Sequence, residues 1–184
     1  MGVEDPARKS DRGTVEVVDA AGFLAAGDAV VRLYAAVFTG PPWHEPPDRT
    51  DAFRDTLPGE AARPGFRAAF GRDAAGALAG FAYGYTTATP FPTGRSYDDV
   101  RLALGAADTG ALSGTFEVLE LAVHPAAQGG GHGRRILGAV VGDRPAWLLT
   151  AEHAEATVAF YDRVGWHRLG AANGILVYTA PPAS

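Results

Sequence analysis

The spacing of apolar residues near the N-terminus predicts one strand followed by two helices. The segment TVEVVD (14–19) is short and β-branched, which is typical of a strand. Over residues 23–38 the apolar positions recur at helical intervals, at Val30, Leu33, Tyr34, Val37 and Phe38. The prolines of TGPPWHEPP (39–47) end this helix, and a shorter helix is predicted over about residues 48–57.

Strand patterns dominate the middle and the end of the chain. Residues 65–87 predict two strands around the turn RDAAG. The aromatic residues of the second strand alternate onto one face, at Phe81, Tyr83 and Tyr85. TFEVLELAVHP (115–125) is apolar on both faces, as a central strand buried on both sides is. RPAWLLTAE (144–152) predicts another strand, and residues 165–180 predict a closing hairpin with Asn-Gly near its turn.

Helical spacing returns after the central strand, at Ile136, Leu137, Val140 and Val141, and a later helix is predicted over about residues 153–164. The connection 87–114 is long, and SYDDVRLALGAAD (96–108) within it is a candidate helix. This connection either shapes a pocket or lies on the surface without a role, and both interpretations stay open. The order β-α-α-β-β-β-α-β-α-β-β indicates a mixed α/β layer structure. We expect one domain over residues 14–180 and a flexible tail over residues 1–13.

Composition and charge narrow the class of protein. The 184 residues are 47% hydrophobic and 20% charged, as in an ordinary globular protein. The formal net charge of −5 argues against nucleic-acid binding, which needs a strongly basic face. No apolar run reaches the roughly 20 residues of a membrane span, and the polar N-terminus does not resemble a secretory signal, so we expect a cytoplasmic protein. The absence of cysteine excludes disulfides, thiolate metal sites and a cysteine nucleophile.

The segment HPAAQGGGHGRR (124–135) brings glycine-rich backbone to the start of a predicted helix. A helix N-terminus presents unpaired amide groups and partial positive charge, and glycines let the backbone wrap around an anion. The segment therefore suits a phosphate cradle, although a strand-to-helix turn without a ligand would use the same residues. The phosphate-loop pattern fails because no Gly-Lys-Ser/Thr follows, and G-x-G-x-x-G fails at its last position.

The spacing that does match is Q-x-x-G-x-G, at Gln128, Gly131 and Gly133. With the preceding ELAVHP it resembles the acetyl-CoA-binding segment of the GNAT N-acetyltransferase superfamily. VAFYDRVGW (158–166) resembles the later helix of the family, usually written F-Y-x-x-x-G-F, and FTGPPWHEPP resembles the loop between its first two helices. The resemblance runs from about residue 14 to residue 179. It implies an α/β (α+β) fold, GNAT-like, in which helices flank a mixed, mostly antiparallel sheet.

The resemblance also implies which residues bind acetyl-CoA, the expected cosubstrate. In the family, the strand pairs with the pantetheine arm, and the loop amides hold the pyrophosphate at the helix N-terminus. The corresponding residues of this chain are Leu121, Ala122, Val123, Gln128, Gly129, Gly130, Gly131, His132, Gly133 and Arg134. By the same resemblance, the Val123 amide binds the acetyl carbonyl and Tyr161 is the general acid at the thioester sulfur. A core tyrosine of an amphipathic helix is the alternative for Tyr161.

Two carboxylates on the predicted central strand, Glu117 and Glu120, are candidates for the general base. Both lie among apolar residues, where burial raises the pKa of a carboxyl group and makes it a better base. Their spacing places them on opposite faces of a regular strand, so we expect one of them to face the cleft unless a bulge intervenes. Glu120 is nearer the acetyl site, whereas Glu117 aligns with the base of some histone-modifying relatives. A rim glutamate, with a water relay as the base, is the alternative.

The expected acceptor is an amine, on a small molecule or on a peptide or protein. Trp43 and Glu45 are candidate walls of its pocket, although a proline-rich loop anchored by a buried tryptophan is an equal interpretation. The five histidines show no metal-ligand spacing, so no metal is expected. We expect His124 and His132 at surface or loop-facing positions.

Departures from the family pattern leave other functions open. Gly130 and His132 stand where many members carry a basic loop residue, and Ala154 stands where an asparagine often precedes the tyrosine. The alternative function is therefore a non-catalytic acyl-CoA-binding sensor or regulatory module of the same fold. An unrelated nucleotide-binding protein would require the cradle to prefer ATP or NAD. Homodimers are common among similar proteins, and no nucleic-acid or membrane partner is expected.

Overall fold

The computed structural model describes residues 13–94 and 96–182, so residues 1–12 of the predicted tail lie outside the described residues. The strands are β1 (Thr14–Val18), β2 (Arg67–Arg72), β3 (Leu78–Thr86), β4 (Phe116–Val123), β5 (Ala146–Ala151), β6 (His167–Ala172) and β7 (Ile175–Thr179). The helices are α1 (Ala20–Ala25), α2 (Gly27–Phe38), α3 (Pro47–Ala61), α4 (Tyr97–Leu112), α5 (His132–Val141) and α6 (Glu155–Arg163).

The seven strands of the described chain form one sheet in the order β1-β2-β3-β4-β5-β7-β6. Neighbouring strands are antiparallel, except that β4 and β5 are parallel. β4 is the middle strand, as its apolar residues on both faces predict. The mixed, mostly antiparallel sheet with flanking helices confirms the predicted fold class.

Helices cover both faces of the sheet. On one face α5 packs on β1 to β4, and two glycines of the sheet make room for it, since a Cβ at Gly71 or Gly80 would lie 2.6 Å from Cδ1 of Ile136. α6 lies on the same face and packs against β5 and β6. On the opposite face α1, α2 and α3 cover the first half of the sheet, and α4 covers β6 and β7. Between these two groups of helices, a cavity lies over the centre of this second face, and residues of β4 and β5 line it.

Three helical predictions differ from the structure in their bounds. The segment predicted as one helix over residues 23–38 forms two helices, since α1 ends at Ala25 and α2 begins at Gly27. α1 also begins before the predicted start, where the Asp19 carboxylate accepts a hydrogen bond from the Gly22 amide at 2.8 Å. α3 continues to Ala61, beyond the predicted end. The candidate helix within the connection 87–114 is confirmed as α4, which continues to Leu112, beyond the predicted end at residue 108. None of the helices in the described ranges is long and apolar enough to cross a membrane.

Burial of the tyrosines makes alkaline unfolding an expected property of this fold. The pKa of every tyrosine is raised, mainly because burial disfavours the phenolate: Tyr34, Tyr83, Tyr85, Tyr97, Tyr161 and Tyr178. Since each folded-state pKa lies above the unfolded value of about 10, this stabilisation is complete below about pH 10 and is lost as the pH rises further. Tyrosinate absorbance and far-UV circular dichroism should therefore change together in one steep alkaline step. Ionisation near pH 10 with an intact fold would contradict the expectation.

Candidate active site

β4 and β5 separate soon after they begin. Their parallel pairing consists of Phe116 with Ala146 and Glu117 with Trp147. Beyond these pairs, the edge of β4 that faces β5 has no strand partner in the described chain. The result is a gap in the centre of the sheet, bordered by the C-terminal half of β4.

Backbone amides of β4 point into this gap. The His124 amide, directly after β4, donates to the Ala79 carbonyl oxygen at 2.8 Å and so points towards β3. Because successive amides of a strand point to opposite edges, the amide of Val123, and that of Leu121 before it, points away from β3. These two amides can donate to a ligand that lies in the gap as a further strand would.

The glycine segment lies at the end of β4 and leads into α5. Gly129 and Gly131 both have φ of +80°, a backbone conformation that side chains with a Cβ rarely adopt. No side chain caps the N-terminus of α5. In the first turn of this helix, the Arg135 amide donates a hydrogen bond to the Gly131 carbonyl oxygen at 3.2 Å. The preceding amides of the helix, from His132 to Arg134, therefore have no partner within the helix and form a site suited to an anion.

Side chains of the glycine segment take different directions. Gln128 donates from Nε2 to the Val123 carbonyl oxygen at 3.1 Å and ties the loop to the end of β4. Arg134 and His124 are exposed, whereas His132 is buried. The expectation of a surface or loop-facing His132 is wrong, because its imidazole packs towards Gly71 of the sheet, with Nδ1 3.3 Å from the Arg135 guanidinium. The buried imidazole therefore lies between Gly71 of the sheet and Gly130 of the loop.

Two of the three sequence segments that carry the family resemblance, the glycine segment and VAFYDRVGW, meet in space. A Cβ at Gly133 would lie 3.3 Å from the ring of Phe160 on α6, so the glycine lets α5 and α6 pack closely. Phe160 in turn contacts the ring of Tyr161, with centroids 5.2 Å apart. The packing of α5 on α6 therefore sets the position of Tyr161 relative to the glycine segment.

Tyr161 is buried at the α6 side of the gap, where its ring also packs on Trp166. Its hydroxyl group has no hydrogen-bond partner among the described residues. Burial, followed by the charge of Glu120, raises the pKa of this phenol, so it carries its proton across the neutral pH range. The group is therefore able to donate a proton.

A cavity of about 330 Å³ lies beside the gap, on the face of the sheet that α1 to α4 cover, and we call it the α3–β4 cavity. Its lining comes from α2, α3, β3, β4 and β5 and from the start of α4: Tyr34, Arg49, Ala52, Phe53, Thr56, Glu60, Tyr83, Ser96, Tyr97, Glu117, Val118, Leu119, Glu120 and Leu149. Both carboxylates predicted as candidate bases are among these residues.

A β-bulge brings the two carboxylates to the same face. Tyr83 pairs with Glu120 and Gly84 pairs with Val118, so Leu119 is an extra residue in β4. The expectation of one carboxylate in the cleft held for a strand without a bulge, and the bulge is the exception that places both Glu117 and Glu120 at the cavity. Gly84 permits the close approach at the bulge, since a Cβ there would lie 1.9 Å from the Glu117 carbonyl oxygen.

The two carboxylates have different surroundings. Glu117 is buried, and its Oε2 accepts a hydrogen bond from the Tyr97 hydroxyl at 2.8 Å. The Tyr97 oxygen lies 3.4 Å from that of Tyr85, so Tyr97 of α4 and Tyr85 of β3 form a buried tyrosine pair beside Glu117. Glu120 is half-buried, and its charge reaches Tyr161 across the gap. Of the two, Glu120 is therefore better placed to act where the gap meets the cavity.

The predicted pocket walls lie next to the cavity and do not line it. Trp43 packs on Phe38, and its ring lies 6.3 Å from that of His153, in the loop after β5. Glu45 accepts a hydrogen bond from the Tyr34 hydroxyl at 2.5 Å, and Tyr34 does line the cavity. Trp43 thus connects the α2–α3 loop to the β5 side of the gap, and Glu45 orients a wall residue. The described histidines and carboxylates form no cluster suited to a metal ion.

Known structures share this arrangement of strands and helices. A protein from Corynebacterium glutamicum described as histone acetyltransferase HPA2 and related acetyltransferase is 18% identical, with 94% of this chain and 97% of that chain covered and a TM-score of 0.63. A GNAT-family acetyltransferase from Bacillus cereus is 12% identical over 94% of this chain and 100% of that chain, with a TM-score of 0.61. PaiA N-acetyltransferase from Thermoplasma acidophilum, in complex with coenzyme A, is 11% identical, with 90% of this chain and 98% of that chain covered and a TM-score of 0.54. No family model and no curated protein matches the sequence. The likeness establishes the fold of the chain, which is that of the GNAT acetyltransferases.

Proposed function

We propose that this chain, which has the GNAT fold, is an acetyl-CoA-dependent N-acetyltransferase that transfers the acetyl group directly to an amine. The observation that carries the proposal is the position of the gap between β4 and β5. The glycine segment lies at one end of the gap, and the α3–β4 cavity lies beside it. The coenzyme A complex of the Thermoplasma protein, which has a similar fold, supports the same cosubstrate.

The backbone of the chain supplies most of the proposed cosubstrate site. The amides from Gly129 to Arg134 would hold the pyrophosphate, with the exposed Arg134 side chain close to the same anion. Leu121, Ala122 and Val123 would bind the pantetheine arm along the open edge of β4. Gln128 holds the loop against β4 through its bond to the Val123 carbonyl oxygen. The two glycines with positive φ are required because only they adopt this loop conformation without strain.

The side chains beside the gap would carry the transfer. Glu120 accepts a proton from the acceptor ammonium group, which leaves a neutral amine to attack the acetyl carbonyl carbon. The Val123 amide donates a hydrogen bond to the carbonyl oxygen as negative charge develops there. Tyr161 gives its phenolic proton to the sulfur as the carbon–sulfur bond breaks, so that coenzyme A leaves as a thiol and the product is an amide. Water returns a proton to Tyr161 and takes one from Glu120.

Ligand-dependent thermal unfolding is the first test of this proposal. Acetyl-CoA and CoA, at about 100 times their Kd, should stabilise the protein by roughly 2.7 kcal/mol and raise Tm by about 5–10 °C. ATP and NAD should produce no comparable shift. A larger shift with ATP or NAD, or none with CoA, would contradict the acetyltransferase proposal. If CoA binds but no amine in a broad panel causes CoA release from acetyl-CoA, the chain is an acyl-CoA-binding module without catalysis. The sequence feature that favours this alternative is Ala154, which stands where the family often has an asparagine.

A further inference from the structure

The imidazole of His132 is a buried polar group to which the proposed transfer gives no role. His132 is the first residue of α5 and is 7% exposed, whereas the other four histidines of the chain are exposed. Burial of a polar ring costs free energy unless its nitrogens find hydrogen-bond partners. The surroundings of the two ring nitrogens therefore indicate what this side chain does.

One edge of the ring is bound by Arg135, in the same turn of α5. The Nη2 atom of Arg135 lies 3.3 Å from Nδ1 of His132, and Nη1 donates to the Gly13 carbonyl oxygen at 3.2 Å. A guanidinium group donates hydrogen bonds and accepts none, so Nδ1 is the acceptor and the ring proton lies on Nε2. Arg135 therefore fixes the tautomer in which Nε2 is a donor.

The other edge of the ring faces the glycine segment. A Cβ at Gly130 would lie 3.5 Å from Cδ2 of His132 and 3.9 Å from Nε2, whereas a Cβ at Gly71 would lie 3.5 Å from Nδ1. Nε2 has no hydrogen-bond partner among the described residues, yet every fully buried polar side-chain atom of those residues has one. Nε2 is therefore the atom of this ring that keeps access to solvent, and it does so at the loop.

This donor lies at the same loop as the amides that the α5 N-terminus leaves without helical partners, from His132 to Arg134. The segment 124–135 contains no aspartate or glutamate, so it offers an anion donors and positive charge without a competing carboxylate. A diphosphate carries several acceptor oxygens and no donor when it is ionised. One such group can therefore accept from the amides and from Nε2 together.

We propose that His132 is a side-chain ligand of the cosubstrate diphosphate, with Nε2–H donating to a phosphate oxygen and Arg135 acting as the positioning residue for the ring. The inference rests on the proposed use of acetyl-CoA and adds a specificity-determining residue to that site. The diphosphate does not react, so this hydrogen bond is the same before and during transfer. Its loss is therefore expected in KM for acetyl-CoA rather than in kcat.

Two substitutions test the donor. His132→Leu replaces the ring by an apolar side chain, whereas His132→Gln keeps an N–H group close to the position of Nε2. Isothermal titration compares CoA with dephospho-CoA, which retains the diphosphate, and with pantetheine, which lacks it. His132→Leu should weaken CoA and dephospho-CoA by about 10-fold to 100-fold, as expected for a hydrogen bond to a charged group, and leave pantetheine unchanged. His132→Gln should bind all three ligands nearly as the wild type does.

His167→Leu is the matched control, because it removes an exposed imidazole from β6, at the edge of the sheet. It should leave the Kd of all three ligands unchanged, and far-UV circular dichroism checks that each variant folds. An equal loss for all three ligands in His132→Leu would show a structural role and overturn the inference. Wild-type affinity for CoA in that variant would overturn it as well, and both results leave the proposed acetyl transfer intact.

Nitrogen-15 NMR of the wild-type imidazoles tests the tautomer without any substitution. His132 should carry its proton on Nε2, and this N–H signal should shift when CoA binds. A proton on Nδ1 would overturn the role of Arg135 and with it the donor. If the wild-type protein binds neither CoA nor dephospho-CoA, the proposed function and this inference both fail.

Discussion

Replacing Tyr161 by phenylalanine is expected to lower kcat by about 10²–10⁴-fold, the usual contribution of a positioned general acid. The phenol is buried beside the gap, and its hydroxyl has no partner among the described residues, so the substitution removes a proton donor and little else. Stability and the thermal shift with CoA should therefore change little. Steady-state kinetics with a saturating amine measure the effect.

Tyr178→Phe is the matched control for this substitution. Tyr178 packs on Tyr161, with centroids 5.6 Å apart, but its hydroxyl donates to Asp162 at 3.0 Å, away from the gap. Its loss should cost about 1 kcal/mol of stability and leave kcat close to that of the wild type. Since the pKa of Tyr161 is raised, its ionisation does not limit activity near pH 10. A Tyr161→Phe enzyme with wild-type kcat would contradict the general-acid role.

Glu120→Gln is expected to lower kcat near neutral pH by a factor in the same range, about 10²–10⁴, and to change the pH profile. Without a carboxylate to accept the proton, the rate depends on the fraction of acceptor that is already neutral. That fraction rises about tenfold per pH unit below the pKa of an alkyl amine, near 10. The variant should therefore recover activity as the pH rises, more steeply than the wild type.

The same pH series on Glu117→Gln distinguishes the two carboxylates. Glu117 is buried and bound by the Tyr97 hydroxyl, so its replacement should lower stability and leave the shape of the pH profile unchanged. An unchanged profile for Glu120→Gln would remove Glu120 as the base. A changed profile for Glu117→Gln would instead identify Glu117 as the base. If neither variant changes the profile, a water relay is the base.

Much of the fold and the backbone part of the candidate site could be predicted from the sequence. The two-sided apolar pattern of residues 115–125 predicted the central strand. The glycines predicted a loop that can wrap closely around a ligand, and two of them, Gly129 and Gly131, have positive φ in the structure. The Asn173–Gly174 pair predicted the final hairpin turn, where both residues have positive φ. These features depend on residues adjacent in the chain, so local periodicity and backbone preference are enough to find them.

The side-chain part of the site was less predictable. The sequence identified Glu117 and Glu120 as candidates, but it placed them on opposite faces for a regular strand and could not decide whether a bulge is present. The isolated Gly84 between Tyr83 and Tyr85 is a signal that could have indicated the bulge. The contact of Tyr97 with Glu117 joins residues 20 apart in sequence, on different elements, and no local pattern predicts it.

The sequence by itself therefore determined the strands, most of the helices, the glycine segment and the family resemblance. Only the tertiary structure decided which side chains share the α3–β4 cavity. It turned the imidazole of His132 towards the sheet, brought Glu60 from α3 towards the carboxylates of β4, and made Gly133 the contact point for Phe160. The physical reason is that these placements result from close packing between distant segments, where the space left by one side chain sets the position of another.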